Sequence, residues 1–431
     1  MTDMRARFHR ADNLRPPELW SEVLQRAAAP MPARRQPRRR TALLVVLVLL
    51  GAGAVAAIGS ALLRPQPDPV PLPSESPAIS AAPSVRSTPN SGDQSFWRAT
   101  GHMVARRGEG HTATLLNDGR VLVTGASVAE LFDPATGTWT ATGRLAVSRG
   151  YASATLLADG RVLVAGGGNF LSDEVFDSAE VYDPATGLWS VTGTMGAARQ
   201  SHTATLLADG SVLVAGGSDG EDLAPAELYD PRTGEWVATG PMLEARVGHT
   251  ATRLVDGMVL VAGGTSGSGS SRIEAELYDP SRGSWIATGE MVVHRSSATA
   301  TLLPDGRVLV AGGVRSAVTR LADAELFDPI TRSWTATGTM HEARAWFTAT
   351  LLRDGRVLVT GSGDGGYGGS SSAELYDPVT GRWTLTTPMR VPHGYHEASP
   401  LADGRVLVIG GSGGAQGDPE AEVYTPETGG E

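Results

Sequence analysis

The residues of this chain best suited to chemistry recur at one position in successive copies of a segment. They are Gly110-His111, Tyr151-Ala152, Ser201-His202, Gly248-His249, Ser297-Ala298, Trp346-Phe347 and Tyr395-His396. Imidazoles and aromatic rings gathered about one axis would suit a sugar, by stacking and hydrogen bonding, or a metal ion, through ring nitrogens. The same residues also suit a structural part: buried polar groups find partners, and repeat histidines would then bond backbone between neighbouring units. The departures from the shared pattern carry more interest, namely Trp346-Phe347 and Tyr395-His396, with Tyr151 and Tyr367 near them in the scheme. The candidate binding face is therefore Tyr151, His202, His249, Trp346, Tyr367, Tyr395 and His396.

A second recurrent set is charged. Arg149, Arg199, Arg246, Arg295 and Arg344 each lie three residues before the second member of those pairs. Glu130, Glu180, Glu227, Glu276, Glu325, Glu374 and Glu422 each precede a Leu or Val later in the unit. A carboxylate repeated in every copy is not a catalytic pair; an Arg–Glu bridge, within or between units, that holds the loops is expected. Other chemistry is excluded by composition and spacing. There is no cysteine, hence no thiol nucleophile, thiolate metal site or disulfide. Neither a His-Glu-x-x-His pattern nor a phosphate-binding glycine loop with a following helix occurs. The Asp and Gly residues of SDGEDL and SGDGGYGG fall short of the ligand count of a recognised calcium loop. No catalytic, cofactor or metal residue is assigned.

The elements that position these residues repeat from residue 97 onward. Asp-Gly turns start at Asp118, Asp159, Asp209, Asp256, Asp305, Asp354 and Asp403. Tryptophans fall at 97, 139, 189, 236, 285, 334 and 383, at spacings of 42, 50, 47, 49, 49 and 49 residues. A period near 50 with several short strands per unit predicts propeller blades. Strand one is HTATLL, as at His202–Leu207. An Asp-Gly hairpin follows, both central positions of which are expected at positive φ. Strand two is RVLVAGG, as at Arg307–Gly313, apolar on both faces because neighbouring blades cover it. Strand three is AELYD, as at Ala226–Asp230, followed by a Pro-x-Thr-Gly turn. Strand four carries the Trp, expected to fill the gap to the next blade. The last unit ends AEVYTPETGGE without a Trp strand, while the first Trp, in SFWRATG, has no strands before it. Residues 95–100 are therefore expected to supply strand four of the last blade, giving an all-β, seven-bladed propeller closed by an N-terminal strand.

This pattern resembles the kelch repeat. The matching residues are the double glycines (Gly166-Gly167, Gly216-Gly217, Gly263-Gly264, Gly312-Gly313, Gly410-Gly411), the Tyr or Phe after Glu-Leu or Glu-Val, and the spaced Trp. Gly125-Ala126 and Gly361-Ser362 keep one glycine only. The stretch GYHEASPLADGRVLVIGG is similar to the corresponding part of the galactose oxidase family. That resemblance implies copper held by Tyr395-His396, with a second Tyr crosslinked to Cys and a further His from a later domain. Without cysteine the crosslinked cofactor cannot form, and no later domain is expected after the repeats, so Tyr395-His396 reads as the seventh copy of the pair. Kelch propellers also include a bacterial sialic-acid epimerase; no lone catalytic constellation here supports that chemistry.

Up-and-down strands place the Asp-Gly and Pro-x-Thr-Gly turns on one face. The other face receives the variable loops 168–178, 218–225, 265–274, 314–323, 362–372 and 412–420, and is the expected binding face.

Before the repeats, residues 41–63 form an uncharged apolar run, long enough at ~1.5 Å per residue to span a ~30 Å hydrocarbon core. Arg34, Arg35, Arg38, Arg39 and Arg40 precede it and only Arg64 follows closely, which predicts a signal anchor with the N-terminus in the cytoplasm. A signal peptide cleaved near Ala54-Val55-Ala56 is the alternative. The domain scheme is thus a basic cytoplasmic tail at 1–40, a transmembrane helix at 41–63, a Pro/Ser-rich linker at 64–94, and the propeller at 95–431. Within the tail, 16–29 reads as a short helix with Leu19, Trp20, Val23 and Leu24 on one face. Residues 1–64 hold 11 Arg and 4 acids (+7) and the remainder 25 Arg and 42 acids (−17), which together give the net −10. An acidic propeller argues against nucleic acid. The expected role is a membrane-anchored extracytoplasmic module that binds protein or glycan, with the bilayer engaged through 41–63; the alternative is a carbohydrate-active or copper-type oxidoreductase propeller.

Overall fold

The computed structural model describes residues 96–427, apart from 106–108, 170–171, 266–268, 317–318, 364–367 and 412–420. The tail, the apolar run 41–63 and the linker lie outside the described residues. Among the described residues, no helix is long and apolar enough to cross a membrane.

Seven four-stranded antiparallel sheets follow one another. Blade 3 is typical, with strands Thr203–Leu206, Val212–Ala215, Ala226–Asp230 and Glu235–Thr239 in simple meander order. Strand one of every blade lies beside strand one of both neighbours, so the sheets close into a ring around an axis. The last blade is split as expected: Trp97–Ala99 pairs with Ala421–Tyr424, Trp97 opposite Tyr424 and Ala99 opposite Glu422. Both ends of the repeat region thereby meet in one sheet, which gives the last blade the same four strands as the others.

The core lies between blades. In strand two, Val259 and Val261 face the preceding blade beside Leu207 and Leu213, whereas Leu260 faces the following blade beside Val308 and Val310. Burial on both faces explains the unbroken Val-Leu-Val, at about 1.5–3 kcal/mol per buried side chain. The tryptophans depart from expectation. Each packs back on the preceding blade, not on the next. Trp236 of blade 3 joins Leu157 and Leu163 of blade 2, and its Nε1 donates to the Gly193 carbonyl at 2.9 Å. The strong twist of each blade turns strand four toward the end of the previous strand four, which sets this direction.

The Asp-Gly turn also differs. Only the glycine takes positive φ, +87° at Gly119 for example, while Asp118 does not. Gly119 N–H bonds Leu116 O and Leu116 N–H bonds Arg120 O, which makes a three-residue loop ending in a left-handed glycine in place of a two-residue mirror turn. The aspartate has another use: Asp118 accepts from the Arg120 amide at 3.0 Å and from its guanidinium.

The first glycine of each pair is dictated by the next blade. A Cβ on Gly216, at φ +65°, would sit 2.6 Å from both Arg246 O and His249 Cε1. In blade 1 the second glycine is Ala126, which still adopts φ +53° in the tight turn joining Val121–Gly125 to Val128–Asp133. Blade 1 consequently lacks the long loop the other blades carry on the variable face.

Candidate functional site

The recurrent charged residues form a clasp within each of blades 2 to 6. In blade 3, Arg199 Nη2 donates to Glu227 Oε1 at 2.8 Å, and its Nη1 donates to the carbonyls of Gly216 (2.8 Å) and Pro225 (3.0 Å). Glu227 also accepts the backbone amides of Gly196 (2.6 Å) and Ala197 (3.3 Å) in the segment arriving from blade 2. Arg149–Glu180, Arg246–Glu276, Arg295–Glu325 and Arg344–Glu374 repeat this, and all five pairs are buried. One guanidinium and one carboxylate thus fix the interblade segment, the end of strand two and the start of strand three. This site is structural, as its recurrence implied.

Blade 7 breaks the rule, and sequence inspection for arginine missed it. His393 occupies the arginine position, with Nδ1 2.7 Å from Gly410 O and Nε2 3.4 Å from Glu422 Oε1. Nδ1 must donate, because a carbonyl only accepts. Nε2 therefore offers Glu422 a proton only when the ring is charged.

The histidines of the candidate face lie between blades and not on an open surface. His202 Nε2 bonds Ser153 Oγ (2.8 Å), His249 Nε2 bonds Thr203 Oγ1 (3.0 Å), and His396 Nε2 lies 3.0 and 2.9 Å from the hydroxyls of Thr348 and Thr360. In each case the partner belongs to the preceding blade and is a side-chain hydroxyl; His111, at the same position in blade 1, takes a backbone carbonyl instead, Ile409 O at 3.0 Å. Burial, aided by Arg199, pushes His202 down to about 3, and burial with Arg246 does the same for His249. His396 is pushed well below its ordinary value by burial and by the neighbouring His393, His111 and Arg344. These rings are neutral struts. Nor do they suit the copper that the family resemblance implies: the His396 Nε2 is taken by two hydroxyls, and among the described residues no group of three His, Cys, Asp or Glu could hold a metal.

The aromatic members are placed differently. The residue just before each strand-one lead-in forms a ring around the axis, and all seven adopt left-handed backbone: Gly110, Tyr151, Ser201, Gly248, Ser297, Trp346 and Tyr395, with φ between +50° and +76°. Amide-to-carbonyl bonds link the ring, from Tyr151 to Gly110, Ser201 to Tyr151, Ser297 to Gly248, Trp346 to Ser297 and Tyr395 to Trp346. Left-handed backbone is strained for a residue as bulky as tryptophan, at a cost of ~1 kcal/mol or more. The ring is lopsided. Blades 3 to 5 offer only Ser201, Gly248 and Ser297. Blades 6, 7 and 2 offer Trp346, Tyr395 and Tyr151, and in blade 1 the Tyr151 ring covers Gly110, whose Cβ would lie 3.0 Å from Tyr151 Cγ. Trp346 and Tyr395 stack, with centroids 5.2 Å apart and planes at 26°. Tyr151 donates its hydroxyl to Glu109 at 2.8 Å; burial and that carboxylate raise its pKa. All three residues are half-buried. Tyr367 lies outside the described residues.

A further polar residue was missed from sequence. The first residue of strand one is a hydroxyl in six blades (Thr112, Ser153, Thr203, Thr250, Thr299, Thr348) and a carboxyl in the seventh, Glu397. Aligning the seven copies on strand one would have exposed it. Burial raises Glu397 to about 7.

Residues 149–196 and 295–341 match the kelch motif, and both stretches lie within the seven-bladed propeller. No curated protein sequence matches the chain. Among solved structures, a fungal alcohol oxidase of the AA5 family, in complex with copper, superposes with a TM-score of 0.64 at 19% identity, covering 77% of this chain and 76% of that one. YjhT superposes with a TM-score of 0.55 at 15% identity, covering 67% of this chain and 99% of that one. At such identities the likeness concerns the fold alone.

Proposed function

We propose that this kelch-repeat propeller is a glycan-binding module, held outside the membrane by residues 41–63, and that sugar rings stack at its axial mouth. The observation that carries the reading is the stacked Trp346–Tyr395 pair on left-handed backbone, with Tyr151 continuing the arc. Aromatic faces held rigidly and half-open suit the apolar faces of pyranose rings, and strained backbone concentrates at binding sites. Blade 1 adds no long loop between its second and third strands on that side of the arc. The uncharged run at 41–63 behind five arginines supports the anchoring.

Fluorescent oligosaccharides of several compositions, applied to intact cells that produce the full chain, test both parts. At least one should stain intact cells, and Trp346→Ala should weaken binding by about tenfold, equivalent to ~1.4 kcal/mol of lost stacking. A Val379→Ser control on the opposite face should bind normally. Staining that appears only after permeabilisation would overturn the topology. Failure of every oligosaccharide, with capture of an extracellular protein through the same Trp346, would replace the glycan by a protein ligand.

A further inference from the structure

Resting on the axial glycan reading, we infer that the ligand is an amino sugar and that Glu397 holds its ammonium group. Glu397 is the second residue after Tyr395, so its Cα lies about 7 Å further along strand one, just inside the mouth. Its register partner is Ile409, whose side chain belongs to the apolar cluster between blades 7 and 1. Directly opposed residues point to the same side of a sheet, so the Glu397 carboxyl lies at that seam, where Glu109 and Gly110 of blade 1 reach the ring. The residue is half-buried, and among the described residues its carboxyl has no hydrogen-bond or ion-pair partner.

Among the described residues the surroundings lack a free counter-charge. The nearest basic groups along these elements are neutral or committed: His396 is uncharged between Thr348 and Thr360, His111 bonds Ile409 O, and Arg344 is engaged by Glu374. The lead-in ring and the first residues of strand one contain no arginine at all. Six blades place a hydroxyl here, and in five of them it meets a neighbour in its own blade or the next; blade 7 alone extends a carboxyl. An unpaired carboxyl beside aromatic faces is what an ammonium recognises, by ion pairing and by attraction to the rings. The carboxyl of Glu109, held by Tyr151, adds negative potential on the same side. The raised pKa of Glu397 fits a site whose missing cation the ligand brings, since an ammonium would favour the ionised form.

Binding of the full-length chain in detergent can be compared at pH 7 for three β-1,4-linked tetramers: glucosamine, N-acetylglucosamine and glucose. The glucosamine tetramer should bind about tenfold more tightly than the other two. Glu397→Gln should lower that preference to twofold or less while leaving glucose-tetramer affinity and thermal stability at pH 7 no worse than in the parent. Equal affinity for all three tetramers, or a preference that survives Glu397→Gln, would overturn the amino-sugar assignment and leave the glycan reading standing. Failure of all three, with neutral and acidic oligosaccharides failing too, would remove both.

Discussion

Replacing Glu276 by alanine tests the clasp most severely. Glu276 is buried, accepts Arg246 Nη2, and accepts the amides of Leu243 at 2.6 Å and Glu244 at 3.3 Å. Arg246 is fully buried and stays bonded to the carbonyls of Gly263 (2.8 Å) and Glu274 (3.0 Å), so it cannot swing out to water when its carboxylate is removed. Truncation therefore leaves a buried guanidinium without a counter-ion, a loss of about 3–5 kcal/mol, and two amides without acceptors. For a cooperative ring of this size, with an unfolding entropy of ~2 cal/mol/K per residue, that corresponds to roughly 4–7 °C. Urea unfolding should show a lower midpoint with an unchanged slope if the native ring survives. Replacing both partners, Arg246→Met with Glu276→Leu, should cost less than Glu276→Ala alone, because no buried charge remains. A shift below 1 °C for Glu276→Ala, or a double variant that loses the sum of the two single losses, would refute the clasp.

Two further outcomes follow from the same seams. His393→Arg should restore in blade 7 the permanent donor that blades 2 to 6 possess, raising the unfolding midpoint by the equivalent of about 1–2 kcal/mol; a lower midpoint would show that blade 7 cannot accept the guanidinium. His202 and His249 are pushed down to about 3 in the folded state, so their contribution is fully present above the ordinary histidine range near 6.5 and is lost as pH falls from there toward 3. Urea midpoints measured from pH 7 to pH 4 should fall, and the His202→Gln, His249→Gln double variant should show a shallower fall. Parallel curves would sink the assignment of these rings as neutral struts.

The fold was legible because its information is repeated. Seven Asp-Gly turns and seven tryptophans set the period, and the mismatch between SFWRATG at one end and AEVYTPETGGE at the other located the split blade that Trp97–Ala99 and Ala421–Tyr424 complete. The pairing of Arg with Glu was legible for the same reason. Directions in space were not. Nothing in the spacing says that Trp236 leans on blade 2 and not on blade 4, since blade twist decides it. Nor does a sequence announce left-handed backbone at Tyr151, Trp346 and Tyr395, where no glycine marks it. The histidines misled for a physical reason: an imidazole at the edge of a ring and one tucked against Ser153 or Thr203 look alike until the neighbouring blade is in place.

What all seven copies share and what a single copy carries have different causes. A residue needed to close the ring must recur, because every seam presents the same geometry: the glutamate of strand three, the first glycine of each pair, the Trp that reaches backward. A ligand at the axis meets each blade once and from a different angle, so it has no use for seven identical groups. Trp346, Tyr395, Tyr151 and Glu397 are each departures from their column of the repeat, and all four come from the arc of blades 6, 7 and 2 beside the one blade that lacks a long loop. Four independent departures converging on one arc of a symmetric ring are not required by closure, which blades 3 to 5 achieve with serine and glycine at the same positions. That asymmetry, more than the identity of any one side chain, is what the proposed glycan site against the seam between blades 7 and 1 rests on.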